Sequence, residues 1–167
     1  MKLTKIIIPS HCITALGKIK DEIAMEYTTS LVSNSIIIEI TNNKHFNTCF
    51  KYLERIMQNN SEIKYGLSFE TSSKDTIFLI NKLMSSLSKK QKESFILRIN
   101  KNNLSNETNE FLSQPIKNNT YYKWSIYTIM NFVRRHNIQC IINSNNLYDI
   151  AWIHLLKSQL NIENMII

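Results

Sequence analysis

The sequence predicts an α/β fold in which mostly parallel strands alternate with intervening helices. Two observations predict it: short apolar runs rich in isoleucine, and longer segments between them whose apolar residues recur every three or four positions. Because parallel neighbours must be joined by a crossover segment, usually a helix, this alternation is the pattern of successive βαβ units. The four clearest strand-like runs are residues 35–40, 63–69, 94–99 and 138–142.

The first elements show the signals from which the others are also predicted. Residues 5–8 contain three consecutive isoleucines and predict a strand that ends at Pro9. A helix over residues 13–27 follows, with an apolar stripe at helical spacing. Within residues 35–40, apolar residues occupy both odd-numbered and even-numbered positions, so both faces of the strand are apolar. This pattern predicts a strand with helices on both sides.

The later elements continue this alternation to the last residues of the sequence. Asn42 and Asn43 are suitable N-caps for the next helix. In order, we predict a helix at 44–58, a strand at 63–69, a helix carrying Ile77 to Leu87, a strand at 94–99, a short helix at 107–112, a helix at 120–136, a strand at 138–142, a helix from Leu147 and a strand that starts within 161–167.

Length, composition and cysteine use limit the class of protein. With 167 residues, of which 43% are apolar, the chain can bury one core, and we predict a single domain over residues 1–167. Three widely spaced cysteines without a CxxC pair predict reduced thiols and a cytoplasmic protein. No apolar run approaches the roughly 18 residues of a membrane span, so we predict no membrane insertion.

The formal charge of +7 raises the question of an acidic partner such as a nucleic acid. Most basic residues are scattered, and the two tight groups both fall where a helix is predicted to end. Cations there complement the helix dipole, which disfavours nucleic-acid binding but keeps it as an alternative. The two groups are Lys89, Lys90 and Lys92, and Arg134, Arg135 and His136.

Four blocks of the sequence resemble motifs of one known family. Residues 35–41 resemble a strand ending L-x-I-E-I-T-E, and residues 66–83 run without a gap beside A-L-D-D-F-G-T-G-Y-S-S-L-x-x-L-x-x-L. Residues 95–101 resemble L-K-I-D-R, and residues 126–156 resemble a helix, a strand ending V-I-A-E-G-V-E-T and the next helix. These motifs belong to the EAL domain, a (β/α) barrel that hydrolyses cyclic di-GMP. The resemblance implies a partial TIM-type barrel of EAL-like topology, and an open flavodoxin-like sheet is the alternative architecture.

The resemblance also implies that the catalytic metal ligands of the family are missing. Glu39 is the one ligand position that keeps its carboxylate, whereas Ser68 and Phe69 replace the paired aspartates and Arg98 replaces a lysine. The last family glutamate falls within residues 143–146, which contain no carboxylate. A single carboxylate cannot hold two divalent ions, so we expect no enzyme activity, no cofactor and a vestigial Glu39. A cyclic-dinucleotide receptor without hydrolysis is an alternative.

For a barrel without its catalytic residues, the resemblance implies a regulator that acts by binding a partner protein. Family members that lost catalysis include proteins that inhibit or modulate transcriptional regulators of motility or virulence in bacteria. A barrel shortened at its start also exposes sheet edges, so homodimerisation is a further expectation. We therefore expect a protein partner and no membrane.

The candidate contact residues are aromatic and arginine side chains near the C-terminal half of the chain. Such residues are enriched at interface hot spots. The alternative is that about half of them face the core, since they lie close to the apolar stripe of the longest predicted helix. The candidates are Tyr121, Trp124, Tyr127, Arg134, Arg135 and Trp152.

Overall fold

The computed structural model describes residues 5–17, 35–59, 63–70, 74–100, 120–144 and 147–167. The strands in these ranges are β1 (Lys5–Pro9), β2 (Ser35–Glu39), β3 (Lys64–Glu70), β4 (Phe95–Asn100), β5 (Gln139–Asn143) and β6 (Met165–Ile166). The helices are α1 (Ser10–Gly17), α2 (Phe46–Asn59, entered through a 3-10 turn at Asn43–His45), α3 (Lys74–Ser86), α4 (Lys89–Glu93), α5 (Thr120–His136) and α6 (Leu147–Gln159).

These elements confirm the predicted alternation of strands and helices. The bounds of α5 are those predicted, and Asn42 caps the turn before α2, where its side chain accepts from the backbone N–H of Lys44. The predicted helix at 107–112 and residues 18–27 of the first predicted helix lie outside the described residues. The short helix α4 was not predicted.

The strands form one six-stranded sheet in which every pairing is parallel and the spatial order is the order of the chain. A flavodoxin-like sheet reverses its strand order at a switch point. The described strands show no such reversal, so that alternative architecture is wrong. One row of paired residues spans the sheet: Ile8, Ile38, Leu67, Leu97, Cys140 and Met165.

The helices cover one face of the sheet. Side chains of β2 to β5 that point to this face share a single buried cluster with residues of the helices, such as Leu53 and Val133. On the opposite face, Ile37, Ile96 and Ile141 form a separate buried cluster that contains no helical residue. The described residues place helices on one face only, and the prediction of helices on both sides of residues 35–40 stays a prediction, because residues 18–34 and 101–119 lie outside them. Sequential right-handed crossovers place successive helices on the same side of a sheet, which explains the arrangement of the described helices.

Gly66 allows strands β3 and β4 to approach closely on the face without helices. It pairs with Ile96, and a Cβ atom at Gly66 would collide with the backbone carbonyl oxygen of Ile96. The same atom would lie 3.1 Å from the Cβ of Ile96. Backbone cannot move aside as the end of a flexible side chain can, so the position accepts only glycine without a shift of the strand.

We expect Gly66→Ala to lower the free energy of unfolding by at least about 1–3 kcal/mol, the usual cost of overpacking a core. Urea unfolding followed by circular dichroism measures this change. Thr48→Ala, at an exposed position of α2, is the control and should stay within about 0.5 kcal/mol of the wild type. Equal stability of the two variants would contradict the close approach.

Two of the three cysteines are part of the core. Cys49 on α2 and Cys140 on β5 have no exposed surface, whereas Cys12 on α1 is half-buried. Burial raises the pKa of both the Cys49 and the Cys140 thiols from the ordinary value of 9.0 to about 12. The folded chain therefore holds these thiols in the neutral form.

The raised thiol pKa values predict a loss of stability at alkaline pH. The unfolded thiols ionise near pH 9 but the folded ones do not, so their contribution is complete below pH 9 and is lost as pH rises towards 12. Each thiol adds a slope of about 1.4 kcal/mol per pH unit in that window. Urea unfolding at pH 8 to 10.5 should show this decline, and Cys140→Val should reduce its slope. The same slope in both proteins would refute the assignment.

Candidate functional site

A polar row crosses three neighbouring strands near their carboxyl ends. Glu39 on β2 pairs with Ser68 on β3, which in turn pairs with Arg98 on β4. Residues paired in register point to the same face, and alternation along β2 and β4 puts this row beside Ile37 and Ile96 on the face without helices. The row therefore lies at the strand ends, where parallel α/β proteins place their functional groups.

The guanidinium of Arg98 joins the three side chains. Its Nη1 donates to Glu39 Oε2 at 3.3 Å and to Ser68 Oγ at 2.9 Å. The side chain of Arg98 is 10% exposed and that of Glu39 is 30% exposed. Arg98 Nε is buried without a hydrogen-bond partner, so the pair lacks the two parallel bonds of the strongest arginine–carboxylate geometry.

Of the positions that the family resemblance aligns with metal ligands, Glu39 and Ser68 meet at Arg98 Nη1, but Phe69 does not join them. Glu39 does lie at the end of its strand, but Phe69 points to the opposite face and packs against Phe46, with 6.1 Å between ring centroids. Asn143 is exposed at the end of β5. Across the described ranges, His, Cys, Asp and Glu side chains nowhere form a group of three or more that could hold a metal ion.

Sequence analysis missed two other polar contacts at this end of the sheet. Ser10 Oγ lies 2.8 Å from His45 Nδ1 and 2.9 Å from Thr41 Oγ1, and it accepts from the backbone N–H of Thr41 at 3.0 Å. Ser10 has no exposed surface, so these hydrogen bonds join the start of α1 to the 3-10 turn before α2. Ser144 Oγ donates to Asp149 Oδ2 at 3.3 Å, and Asp149 is buried at the start of α6.

The predicted contact residues lie on two neighbouring helices. On α5, Tyr127 is 46% exposed, and Arg134 and Arg135 are exposed in the last turn. Trp152 on α6 is half-buried and packs against the core, so the alternative of a core position applies to it. The side chains of Tyr121 and Trp124 lie outside the described part of the structure.

An exposed apolar surface on α6 was not predicted. Leu147 is 72% exposed, Tyr148 45% and Leu155 58%, and Ala151 lies between them on the same side of the helix. The spacing of 147, 151 and 155 by four residues was a usable signal, because it places these side chains in one stripe. We call these four residues the α6 face.

The two basic groups of the sequence meet in the fold. Lys92 Nζ lies 3.0 Å from His136 Nδ1, which joins α4 to the end of α5. The prediction that Lys89, Lys90 and Lys92 fall near a helix end is confirmed, since α3 ends at Ser86, but Ser88 also caps a second helix, α4, that was not predicted. Ser88 and Gln91 form a capping box, the signal that sequence analysis overlooked.

In comparisons with known proteins, the chain matches no protein-family model, no curated protein and no solved structure. Within the described residues, none of the helices is both long and apolar enough to cross a bilayer.

The polar row predicts an unequal response to removal of its two charges. Glu39→Gln leaves a guanidinium at 10% exposure without a counter-charge and should lower the free energy of unfolding by about 3 kcal/mol. Arg98→Met should cost less, because water can hydrate a carboxylate at 30% exposure and Met fills a similar volume. Urea unfolding at pH 7 measures both.

The double variant Glu39→Gln/Arg98→Met is the control for this pair. It removes both charges together, so it should be more stable than Glu39→Gln alone. A double variant whose loss equals the sum of the two single losses would show that the pair does not act as a unit.

Proposed function

We propose that the chain is a non-catalytic regulatory protein built on a partial TIM-type barrel of EAL-like topology, which acts by binding a partner protein. The sequential order of six parallel strands supports this architecture, since strands of a (β/α) barrel follow one another in the same way. The proposal treats residues 1–167 as one cytoplasmic domain. By resemblance, the partner is a transcriptional regulator of motility or virulence.

The polar row supports a loss of catalysis. In a metal-dependent phosphodiesterase, carboxylates at the strand ends bind divalent ions that activate water. Here the charge of Glu39 is balanced by Arg98, whose Nη1 also donates a hydrogen bond to Ser68 Oγ. A metal ion would have to displace this guanidinium and would find one carboxylate in the row. The same pairing leaves little free cationic charge for a nucleotide phosphate, which disfavours the receptor alternative.

The α6 face is the observation that carries the proposed protein contact. A helix that is apolar on its outer as well as its inner side is characteristic of a helix covered on both sides. Three large apolar side chains that are 45% to 72% exposed form a contiguous patch on the outer side. Patches of this kind mark interaction sites, and tyrosine and leucine there would be desolvated by a partner. Tyr127 on the neighbouring helix α5 is a further exposed aromatic side chain.

The test uses a partner captured by the full-length protein from its native cell extract, then identified, purified and recombined with it. Leu147→Glu/Leu155→Glu should weaken this complex at least about 30-fold, because both changes place charge in the buried centre of the contact. Isothermal titration calorimetry gives the affinity, and light scattering during size exclusion gives the mass of the complex and detects a homodimer.

The matched control is Phe78→Glu/Thr48→Glu, which introduces the same charge at exposed positions of α3 and α2. It should retain wild-type affinity. Equal weakening by both variants, or none by the α6 variant, would contradict the proposed surface. Hydrolysis of cyclic di-GMP by the wild type with Mg²⁺ would contradict the absence of catalysis, and thermal stabilisation by cyclic di-GMP would favour the receptor alternative.

A further inference from the structure

The basic cluster is formed by two segments that are distant in sequence. We define it as Lys89, Lys90, Lys92, Arg134 and Arg135. The contact between Lys92 Nζ and His136 Nδ1, 44 residues apart in sequence, brings α4 against the last turn of α5. Every other member lies within three residues of this contact along its own helix. Five cationic side chains therefore share one region of the surface.

Within the described ranges, carboxylates do not neutralise these cations. Lys89, Lys90, Arg134 and Arg135 are exposed, Lys92 is half-buried, and the described residues supply no carboxylate in ion-pair contact with any of the five. The ammonium of Lys92 can only donate, so His136 Nδ1 accepts and carries no proton. Burial, followed by the charges of Lys92 and Arg135, lowers the pKa of His136, as expected in a positive field.

The fold does not explain why all five charges are there. Arg134 and Arg135 complement the dipole at the end of α5, and Lys90 and Lys92 lie in the last turn of the five-residue helix α4, but Lys89 occupies the first position of α4, where a cation is unfavourable. Charges of one sign held close together also oppose the compact state. A concentration of like charge that opposes the compact state is characteristic of a functional site.

The cluster lies at the opposite end of the sheet from the Glu39–Arg98 pair. Helix α4 leads into the start of β4, and α5 ends shortly before the start of β5. The cluster is therefore separate from the strand-end row. It shares helix α5 with the exposed Tyr127, one of the predicted contact residues.

The chemistry of the cluster favours an acidic protein segment over a nucleic acid. Proteins that bind single strands stack bases on exposed aromatic rings beside their cations. The aromatic residues nearest in sequence to the cluster, Phe95 and Phe132, pack into the core, and Tyr127 lies about two helical turns away from Arg134. Three of the five cations are lysines, which act as point charges and suit flexible carboxylates without fixed geometry.

We propose that the basic cluster is the docking point for an acidic segment, rich in Asp and Glu, of the partner protein. This inference rests on the proposed function, because it assigns the charge of the partner that the α6 face binds. The acidic segment contacts Lys89, Lys90, Arg134 and Arg135, while an apolar part of the partner covers the α6 face.

The experiment uses a fluorescein-labelled peptide of about ten Glu and Asp residues and the full-length protein. Anisotropy gives its affinity over a range of NaCl concentrations, and binding should fall steeply with salt because exposed charges are screened. Lys89→Glu/Lys90→Glu should weaken binding at least tenfold. Lys44→Glu/Lys51→Glu, which makes the same change of charge at exposed positions elsewhere, should change it less than twofold. Circular dichroism checks that both variants fold.

A second readout reports the position of the bound peptide. NMR titration of His136 should show its pKa rising when the peptide binds, because carboxylates offset the field of Lys92 and Arg135. Equal weakening by the two charge variants, or an unchanged His136 titration, would overturn the proposal. So would a DNA oligonucleotide of equal charge that binds more tightly at the same salt and depends on Lys89 and Lys90, since the surface would then serve nucleic acid.

The two proposals can fail separately. If Leu147→Glu/Leu155→Glu abolishes the reconstituted complex while Lys89→Glu/Lys90→Glu leaves its affinity unchanged, the acidic-segment inference is wrong and the proposed function stands. If neither variant affects the complex, the proposed contact surface fails as well.

Discussion

A parallel sheet whose strands follow the order of the chain receives its helices on one face, and this constraint organises the described structure. The described helices form a large core with the inner side chains of the strands, whereas Ile37, Ile96 and Ile141 are buried in a separate cluster on the other face. Gly66 lets β3 and β4 approach closely enough for that burial. The polar row is therefore placed on the face with the least packing, at the end where the strands stop.

Charge is separated between the two ends of the sheet. At the carboxyl ends, Arg98 is used internally, since Glu39 and Ser68 both contact its guanidinium. At the amino ends, Lys92 faces a neutral imidazole at His136 instead of a carboxylate. The charge at the carboxyl ends is thus paired within the protein, whereas the described cations at the amino ends have no carboxylate partner within the described residues.

The sequence allowed the strands and the main helices to be predicted because their apolar periodicity is strong, and α5 has the predicted bounds. Helix α4 was missed because it has five residues and none of them is buried. The Glu39–Arg98 pair was missed because it depends on strand register across β3, which local patterns do not determine. The meeting of α4 with α5 required the fold, since neither segment contains a signal for the other.

Strand β6 lies at one edge of the described sheet, and its backbone groups determine what can pair there. Strand β6 has two residues. The backbone carbonyl of Asn164, just before it, accepts from the backbone N–H of Cys140, so the backbone polar groups of Met165 face away from β5. The carbonyl of Met165 is already occupied by Lys157 Nζ at 2.8 Å. This edge strand is short, and its outward-facing backbone acceptor already binds a cation. A strand of another chain therefore finds no free acceptor there to pair with, so this edge of the sheet resists the stacking of chains into fibrils.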